Sequence, residues 1–353
     1  MHRPTSPWLG EVLPAVAAAL GHPLEESSIT LPAARSAIVI VVDGLGWHQL
    51  QAHRGHARTL SSFQGPVLTT CLPSTTAAAL TCFSTGRLPG ETRMVGYSVR
   101  HGGSVMNLLQ FAPGVDPLTW QPQETYFSRL EGVEPFVVTA PKFAGSGLTQ
   151  AAFRGATFVG RRSLAERFEA AARLARERPS LTYLYWSEID HAGHRYGPGS
   201  PQWVEELEDF DAELGQFLRR LPADTLVVLT ADHGMVQVHE RLDLAEIPAL
   251  AEGVELLAGE GRAVHVHAED GPAVRARWAD YLGDRARILA PAEYPEVFGE
   301  GPGNELMGEA VVFLAGNRVI VDSRTQSAGM VGLEGVHGSF TEEELEIPLL
   351  ILS

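Results

Sequence analysis

Five short, nearly unbroken apolar runs punctuate the chain: Ala37–Val42, Phe136–Thr139, Leu181–Trp186, Leu226–Thr230 and Ile347–Leu352. They are rich in β-branched residues and carry almost no polar alternation, so each predicts a strand buried on both faces. Between them, Leu164–Arg178 and Trp203–Leu221 repeat apolar residues at three and four positions, the period of an amphipathic helix. Buried strands alternating with such helices predict an α/β fold, a mostly parallel central sheet with helices on both faces. From about Leu242 to Gly335 the pattern changes. Gly, Pro and acidic residues increase, and the candidate strands are short: Ala263–His267, Val311–Leu314 and Arg318–Val321. The last core strand returns only after this stretch. The expected organisation is therefore a core of residues 1–241 and 336–353, with 242–335 inserted as a smaller cap subdomain.

Near the N-terminus the apolar run Val12–Leu20 is interrupted by Pro14 and preceded by Glu11. It falls short of the roughly 20 residues of a membrane span. Only Arg3 and His2 stand before Glu11, which is a poor basic region for a signal peptide. A short helix ending at Gly21 is expected instead.

With 44% hydrophobic and 20% charged residues the composition is that of a globular protein, which excludes disordered and fibrous classes. The chain is long enough to bury a core without staples. Its two cysteines, Cys71 and Cys82, imply no disulfide framework, which points to a reducing, cytoplasmic setting. The balance of 27 basic against 43 acidic residues, net -16, argues against binding a nucleic-acid polymer or an anionic membrane. A small phosphate ester remains compatible, because bound cations reverse the field inside one cleft.

Candidate chemistry lies at the strand ends. Asp43-Gly44 follows the first run, Asp190, His191 and His194 follow the third, and Asp232-His233-Gly234 follows the fourth. Gly335-Val336-His337-Gly338 shortly precedes the last. Singly, these are a turn, a helix cap or a solvated loop. Open α/β sheets bind ligands at the carboxyl ends of their strands, and four Asp/His pieces at such edges are donors suited to zinc, manganese or iron. A second element is the segment Pro73–Gly86. Its Ser and Thr hydroxyls can cap the alanine-rich helix that follows, and Gly86 can close it. A hydroxyl at a helix N-terminus beside a metal is also easier to ionise, and that end attracts phosphate.

These residues resemble the alkaline phosphatase superfamily and, within it, the nucleotide pyrophosphatase/phosphodiesterase-like branch. The resemblance covers residues 37–86, 181–236 and 335–352 and leaves the cap unassigned. Its most specific parts are Asp190 and His194 with the following Arg-Tyr-Gly-Pro, then Asp-His-Gly-Met at 232–235. It implies two divalent metal ions, usually zinc, with manganese or iron as alternatives. Asp190, His194 and His337 match the ligands of one. Asp43, Asp232 and His233 match those of the other, which also binds the nucleophile. In phosphodiesterase-like members the nucleophile lies three residues after the proline and ten before the glycine of a Thr-Gly pair. Pro73 and Gly86 both place it at Thr76, with Thr75 as the fallback. The implied activity is a metal-dependent phosphodiesterase or nucleotide pyrophosphatase working through a covalent phosphothreonine. The same scaffold also carries phosphomonoesterases, metal-dependent phosphomutases, sulfatases and phosphonate hydrolases, and an inactive metal-binding protein is a further alternative. Cys71-Leu72-Pro73-Ser74-Thr75 imitates the sulfatase motif but lacks its arginine.

Two departures bear on substrate. Nucleotide-cleaving members place an aromatic and an Asn where this chain has Ala77 and Ala79. Candidate replacements for substrate contact are Arg87, Arg93, Asn107 and Lys142, the last being the only lysine of the chain. His265 and His267 alternate on one strand face, but no carboxylate partner accompanies them.

Overall fold

A computed structural model describes residues 4–352; His2 and Arg3, weighed above as a basic region, lie outside the described residues. The central sheet uses β1 (Ser36–Val42), β2 (Val67–Thr69), β3 (Glu134–Thr139), β4 (Thr157–Gly160), β5 (Ser180–Trp186) and β6 (Thr225–Thr230). Four strands of a second sheet follow in the 242–335 stretch: β7 (Val254–Glu260), β8 (Ala263–Ala268), β9 (Ala286–Leu289) and β10 (Ala310–Leu314). The chain then returns to the central sheet as β11 (Glu346–Ile351).

The seven central strands run in the order β2-β11-β6-β1-β5-β3-β4. From β6 through β4 all neighbours are parallel, while β11 is antiparallel to both β6 and β2. All seven residues of β1 are buried, as its Ser-Ala-Ile-Val-Ile-Val-Val composition requires of a strand covered on both faces. The covering helices include α1 (Val12–Ala19), α2 (Thr76–Thr85), α3 (Leu164–Glu177), α4 (Glu188–Tyr196) and α5 (Pro201–Leu218). Helix α3 opens with a reciprocal capping box between Ser163 and Glu166 and lays Phe168, Ala171 and Leu174 inward. None of the helices among the described residues is long and apolar enough to cross a membrane.

The five apolar runs coincide with β1, β3, β5, β6 and β11 to within two residues. The edge strands β2 and β4, three and four residues long, are too short to leave a periodic trace. In the 242–335 stretch, β7-β8-β10-β9 form an antiparallel sheet with its own apolar cluster, to which Trp278 of α6 (Gly271–Leu282) contributes. Arg318–Val321 does not join that sheet; it pairs in parallel with Glu240–Asp243.

One buried ion pair ties this sheet to the returning chain. Arg262, between β7 and β8, meets Glu344 through two 2.7 Å hydrogen bonds, and neither side chain is exposed. Glu344 also accepts from Ser339 N–H at 2.9 Å and the Thr341 hydroxyl at 2.7 Å, bracing the loop just after His337. Removing one partner of such a pair strands a buried charge. Glu344→Gln is therefore expected to lower unfolding stability by about 3–5 kcal/mol. Urea denaturation of wild type, Glu344→Gln and an Arg262→Met/Glu344→Leu double variant checks this. The double variant should recover much of the loss.

Candidate metal and phosphoryl site

The chain turns sharply where β1 ends. Asp43 N–H donates to Trp186 O at 2.9 Å, and Gly44 takes φ +71°. A Cβ at Gly44 would stand 3.0 Å from Asp190 Oδ1, so glycine here lets the β1 and β5 ends converge. Asp190 and His194 lie one turn apart on α4, with His194 Nε2 3.3 Å from Asp190 Oδ2. His337 arrives from the returning loop, its Nε2 3.8 Å from Asp190 Oδ1. Asp232 and His233 follow β6 and are wholly buried; His233 Nε2 stands 3.3 Å from Asp43 Oδ1 and 3.5 Å from Asp232 Oδ2. The His233 and His337 rings stack with centroids 3.6 Å apart.

Two features make this cluster a fit for metal ions. First, each histidine turns Nδ1 to a main-chain carbonyl: His194 to Gly335 O at 2.8 Å, His233 to Gly234 O at 3.0 Å, His337 to Ser74 O at 2.9 Å. A carbonyl only accepts, so Nδ1 carries the proton and Nε2 keeps its lone pair toward the carboxylates. Burial, reinforced by His233 and His194, holds His337 neutral, well below the ordinary histidine range. Second, Asp43 Oδ1, Asp190 Oδ1 and Asp232 Oδ2 are buried with no hydrogen-bond donor. Burial, then repulsion from Asp190 and Asp232, pushes the Asp43 carboxyl well above its usual range, and burial raises Asp232 as well. Crowded carboxylate oxygens facing unprotonated imidazoles form a dication's donor set. Two overlapping groups, Asp190-His194-His337 and Asp43-Asp190-His233, each bring their ligand atoms within 4.8 Å of one another.

Thr76 is the first residue of α2, and its Oγ1 lies 3.2 Å from His233 Nε2. The expected side-chain capping is absent: Thr75 occupies the N-cap without a cap hydrogen bond, and Ser74 Oγ instead donates to Ser339 O at 2.7 Å. Gly86 closes the helix at φ +67°. The cavity in front of Thr76 holds about 680 Å³. Asp43, Asp190, His194 and His337 line its metal edge, and Gly259–Gly261 with Val319–Asp322 of the 242–335 stretch line it as well.

Of the proposed substrate contacts, only Asn107 lines this cavity, and its Oδ1 accepts Leu109 N–H at 2.7 Å. Arg93 stacks on Trp120 at 4.3 Å, Lys142 lies over Phe143 at 5.1 Å, and Arg87 pairs with Glu25 at 3.5 Å. Ala77, Ala79 and Cys71 are fully buried and stand outside the lining. His265 and His267 are held neutral by burial, with pKa values pushed down to about 3 and about 4, and neither belongs to a metal-capable group among the described residues.

Sequence reasoning missed two residues. The Tyr185 hydroxyl donates to Asp43 Oδ2 and orients that carboxylate; its trace in the sequence is the Tyr183-Leu184-Tyr185 alternation on the strand leading to Asp190. Glu260 lines the cavity and accepts Tyr97 N–H at 2.7 Å, while burial pushes its carboxyl up to about 8. Nothing local in the sequence marks it.

A mostly parallel α/β sheet whose strand ends gather carboxylates and imidazoles against a helix-terminal threonine is the architecture of the alkaline phosphatase superfamily. The family model for type I phosphodiesterase / nucleotide pyrophosphatase matches residues 37–338, and the chain belongs to that family. It is 38% identical over 72 residues to bis(5'-adenosyl)-triphosphatase ENPP4 of Bos taurus, covering 18% of this chain and 16% of that protein. It is 35% identical over 71 residues to ectonucleotide pyrophosphatase/phosphodiesterase family member 5 of Homo sapiens, covering 19% and 15%. The aligned stretches thus span less than a fifth of these relatives. Among solved structures, murine ectonucleotide pyrophosphatase/phosphodiesterase 5 superposes with TM-score 0.70 at 17% identity, covering 89% of this chain and 87% of that one. Phosphonoacetate hydrolase from Sinorhizobium meliloti superposes with TM-score 0.68 at 20% identity, covering 93% and 94%.

Proposed function

We propose that the chain is a metal-dependent phosphodiesterase acting on a small phosphate ester through a covalent phosphothreonine at Thr76. The observation that carries this reading is the place of Thr76 Oγ1, at the N-terminus of α2 and 3.2 Å from His233 Nε2, on the wall of the cavity. Asp190, His194 and His337 would hold one divalent ion, and Asp43, Asp232 and His233 with Thr76 a second; zinc suits these donors, with manganese or iron as alternatives. When bound, such ions supply positive charge to the phosphoryl oxygens and ease ionisation of a hydroxyl.

Thr76 gives up its hydroxyl proton to solvent, Oγ attacks phosphorus in line, and the leaving oxygen departs with the bonding pair, to be protonated by solvent where it is basic enough, as the Oγ–P bond forms. The first-turn N–H groups of α2, which have no intrahelical acceptor, and the positive end of its dipole favour the charge on the non-bridging oxygens. Water then attacks the phosphothreonine from the vacated side, the Oγ–P bond breaks, and Thr76 regains its proton. Tyr185 keeps Asp43 oriented throughout.

The charge of the cavity favours a diester. No lysine or arginine lines it among the described residues; of its carboxyls beyond the metal edge, Glu260 is held largely protonated by burial and Asp322 is already paired with Arg324 at 2.7 Å. A monoester dianion or a phosphonocarboxylate brings one more negative charge with no cationic side chain to receive it. The buried, unpaired cysteines Cys71 and Cys82 support placing the protein in the cytoplasm. We further propose residues 1–241 and 336–353 as the catalytic core and 242–335 as a cap supplying part of the cavity's lining.

Turnover of metal-loaded protein on bis-4-nitrophenyl phosphate, 4-nitrophenyl phosphate and 4-nitrophenyl sulfate tests the reading. The diester should have the highest kcat/KM. Monoester efficiency above diester efficiency would move the assignment to a phosphatase.

A further inference from the structure

The cavity continues past the metal edge along one face of the central sheet. Tyr185 marks that edge through its bond to Asp43. Tyr183 projects from the same face of β5 two residues earlier, roughly 6–7 Å further down the strand, opposite Val137 of β3. Phe153 stacks on Tyr183 with centroids 4.5 Å apart, and Phe143 packs edge-on against Tyr185 at 6.1 Å. All of these rings line the cavity, as does Thr139. The Tyr183 Oη and Thr139 Oγ1 atoms are buried and have no hydrogen-bond partner among the described residues. A buried hydroxyl without a partner is costly, and two on one wall of an otherwise aromatic recess point to a ligand atom that would satisfy them.

We propose that this recess, formed by Phe143, Phe153, Tyr183 and Thr139, receives the retained arm of the diester. That arm is uncharged and largely apolar, with one hydrogen-bonding oxygen that meets the Tyr183 and Thr139 hydroxyls. The inference rests on the phosphodiesterase reading above and adds the chemistry of the arm. A nucleoside arm suits the recess poorly: a base and sugar bring many more polar atoms than two hydroxyls can serve, and each one buried unpaired is penalised. The alanines at 77 and 79, buried away from the cavity, offer a base no stacking ring or amide.

The test compares 4-nitrophenyl phosphodiesters that share a leaving group and differ in the retained arm: methyl, butyl, hexyl, 3-phenylpropyl, 2-phenoxyethyl and 5'-thymidyl. Burying each methylene should raise kcat/KM about three- to fourfold until the recess is full, so hexyl should exceed methyl at least tenfold. The 2-phenoxyethyl arm should exceed its near-isostere 3-phenylpropyl about threefold or more. Tyr183→Phe, which keeps the ring and its packing, should erase that second preference. Phe143→Ala, at a half-buried position, should reduce the hexyl-to-methyl ratio at least fivefold. Diesters cleaved with efficiency indifferent to the arm, or a thymidyl ester tenfold better than hexyl, would overturn the proposed arm while leaving the diesterase reading standing. Efficiency highest on 4-nitrophenyl phosphate would overturn both.

Discussion

Thr76→Ala is expected to lower kcat on bis-4-nitrophenyl phosphate by about a thousandfold or more while leaving bound metal near the wild-type amount. Removing a nucleophile deletes the covalent route, and what survives is catalysis by binding and electrostatics alone. Asp43, Asp232 and His233 still offer three donors to the second ion once the Thr76 hydroxyl is gone, so elemental analysis should separate loss of chemistry from loss of metal. Thr76→Ser keeps a hydroxyl at the helix start and should retain measurable turnover. Thr75→Ala is the informative contrast. The Thr75 side chain makes no cap hydrogen bond, so its loss should cost about 1 kcal/mol of stability and leave turnover within a few-fold. The reverse pattern, an active Thr76→Ala and a dead Thr75→Ala, would move the nucleophile one residue back.

The sequence made this contrast available because the site sits where local patterns end. Each strand buried on both faces is a run of apolar residues; Asp43 and Asp232 stand out as the first charges past two of those runs, and Asp190 follows a third just after Glu188. The resemblance to phosphodiesterase-like members, applied to the positions of Pro73 and Gly86, then singles out one hydroxyl from several. What was not legible depends on contacts between distant segments. Tyr185 looks like one more core aromatic until β1 and β5 pair in register and bring its hydroxyl to Asp43. Glu260 closes the cavity only because the β7-β8 turn folds back over Gly338, leaving its Oε1 2.9 Å from where a Cβ there would stand. Arg262 and Glu344, 82 residues apart, announce nothing by periodicity. The arginines and the lysine that composition offered for substrate contact are held by rings and carboxylates elsewhere, since a cation finds partners wherever the surface supplies them.

In metal-free protein, Asp232→Asn should raise the melting temperature at pH 8, although it removes a residue at the centre of the site. Asp43, Asp190 and Asp232 are buried together with an unpaired oxygen each, so without bound cations the fold carries their mutual repulsion. Asn keeps an acceptor for the N–H groups of Gly44 and His233, now 3.3 and 3.1 Å from Asp232 Oδ1, and deletes one charge. The pH dependence follows from the same cluster. Burial and the neighbouring carboxylates raise the Asp43 pKa in the folded state. Its contribution to stability is therefore complete below the ordinary carboxylate range and is lost as pH rises through the folded value. Chelator-treated wild type should melt lower at pH 8 than at pH 5.5, and Asp232→Asn should flatten that slope. Adding zinc should invert the ranking. Binding stabilises the folded state by about 2.7 kcal/mol per site at a hundredfold excess over Kd, and the variant should gain less and lose most turnover. Calorimetry of both proteins with chelator and with zinc, at the two pH values, gives the four comparisons. A metal-free variant that melts below metal-free wild type would mean that these carboxylates stabilise the fold as a structural network, and a metal would then be incidental to them.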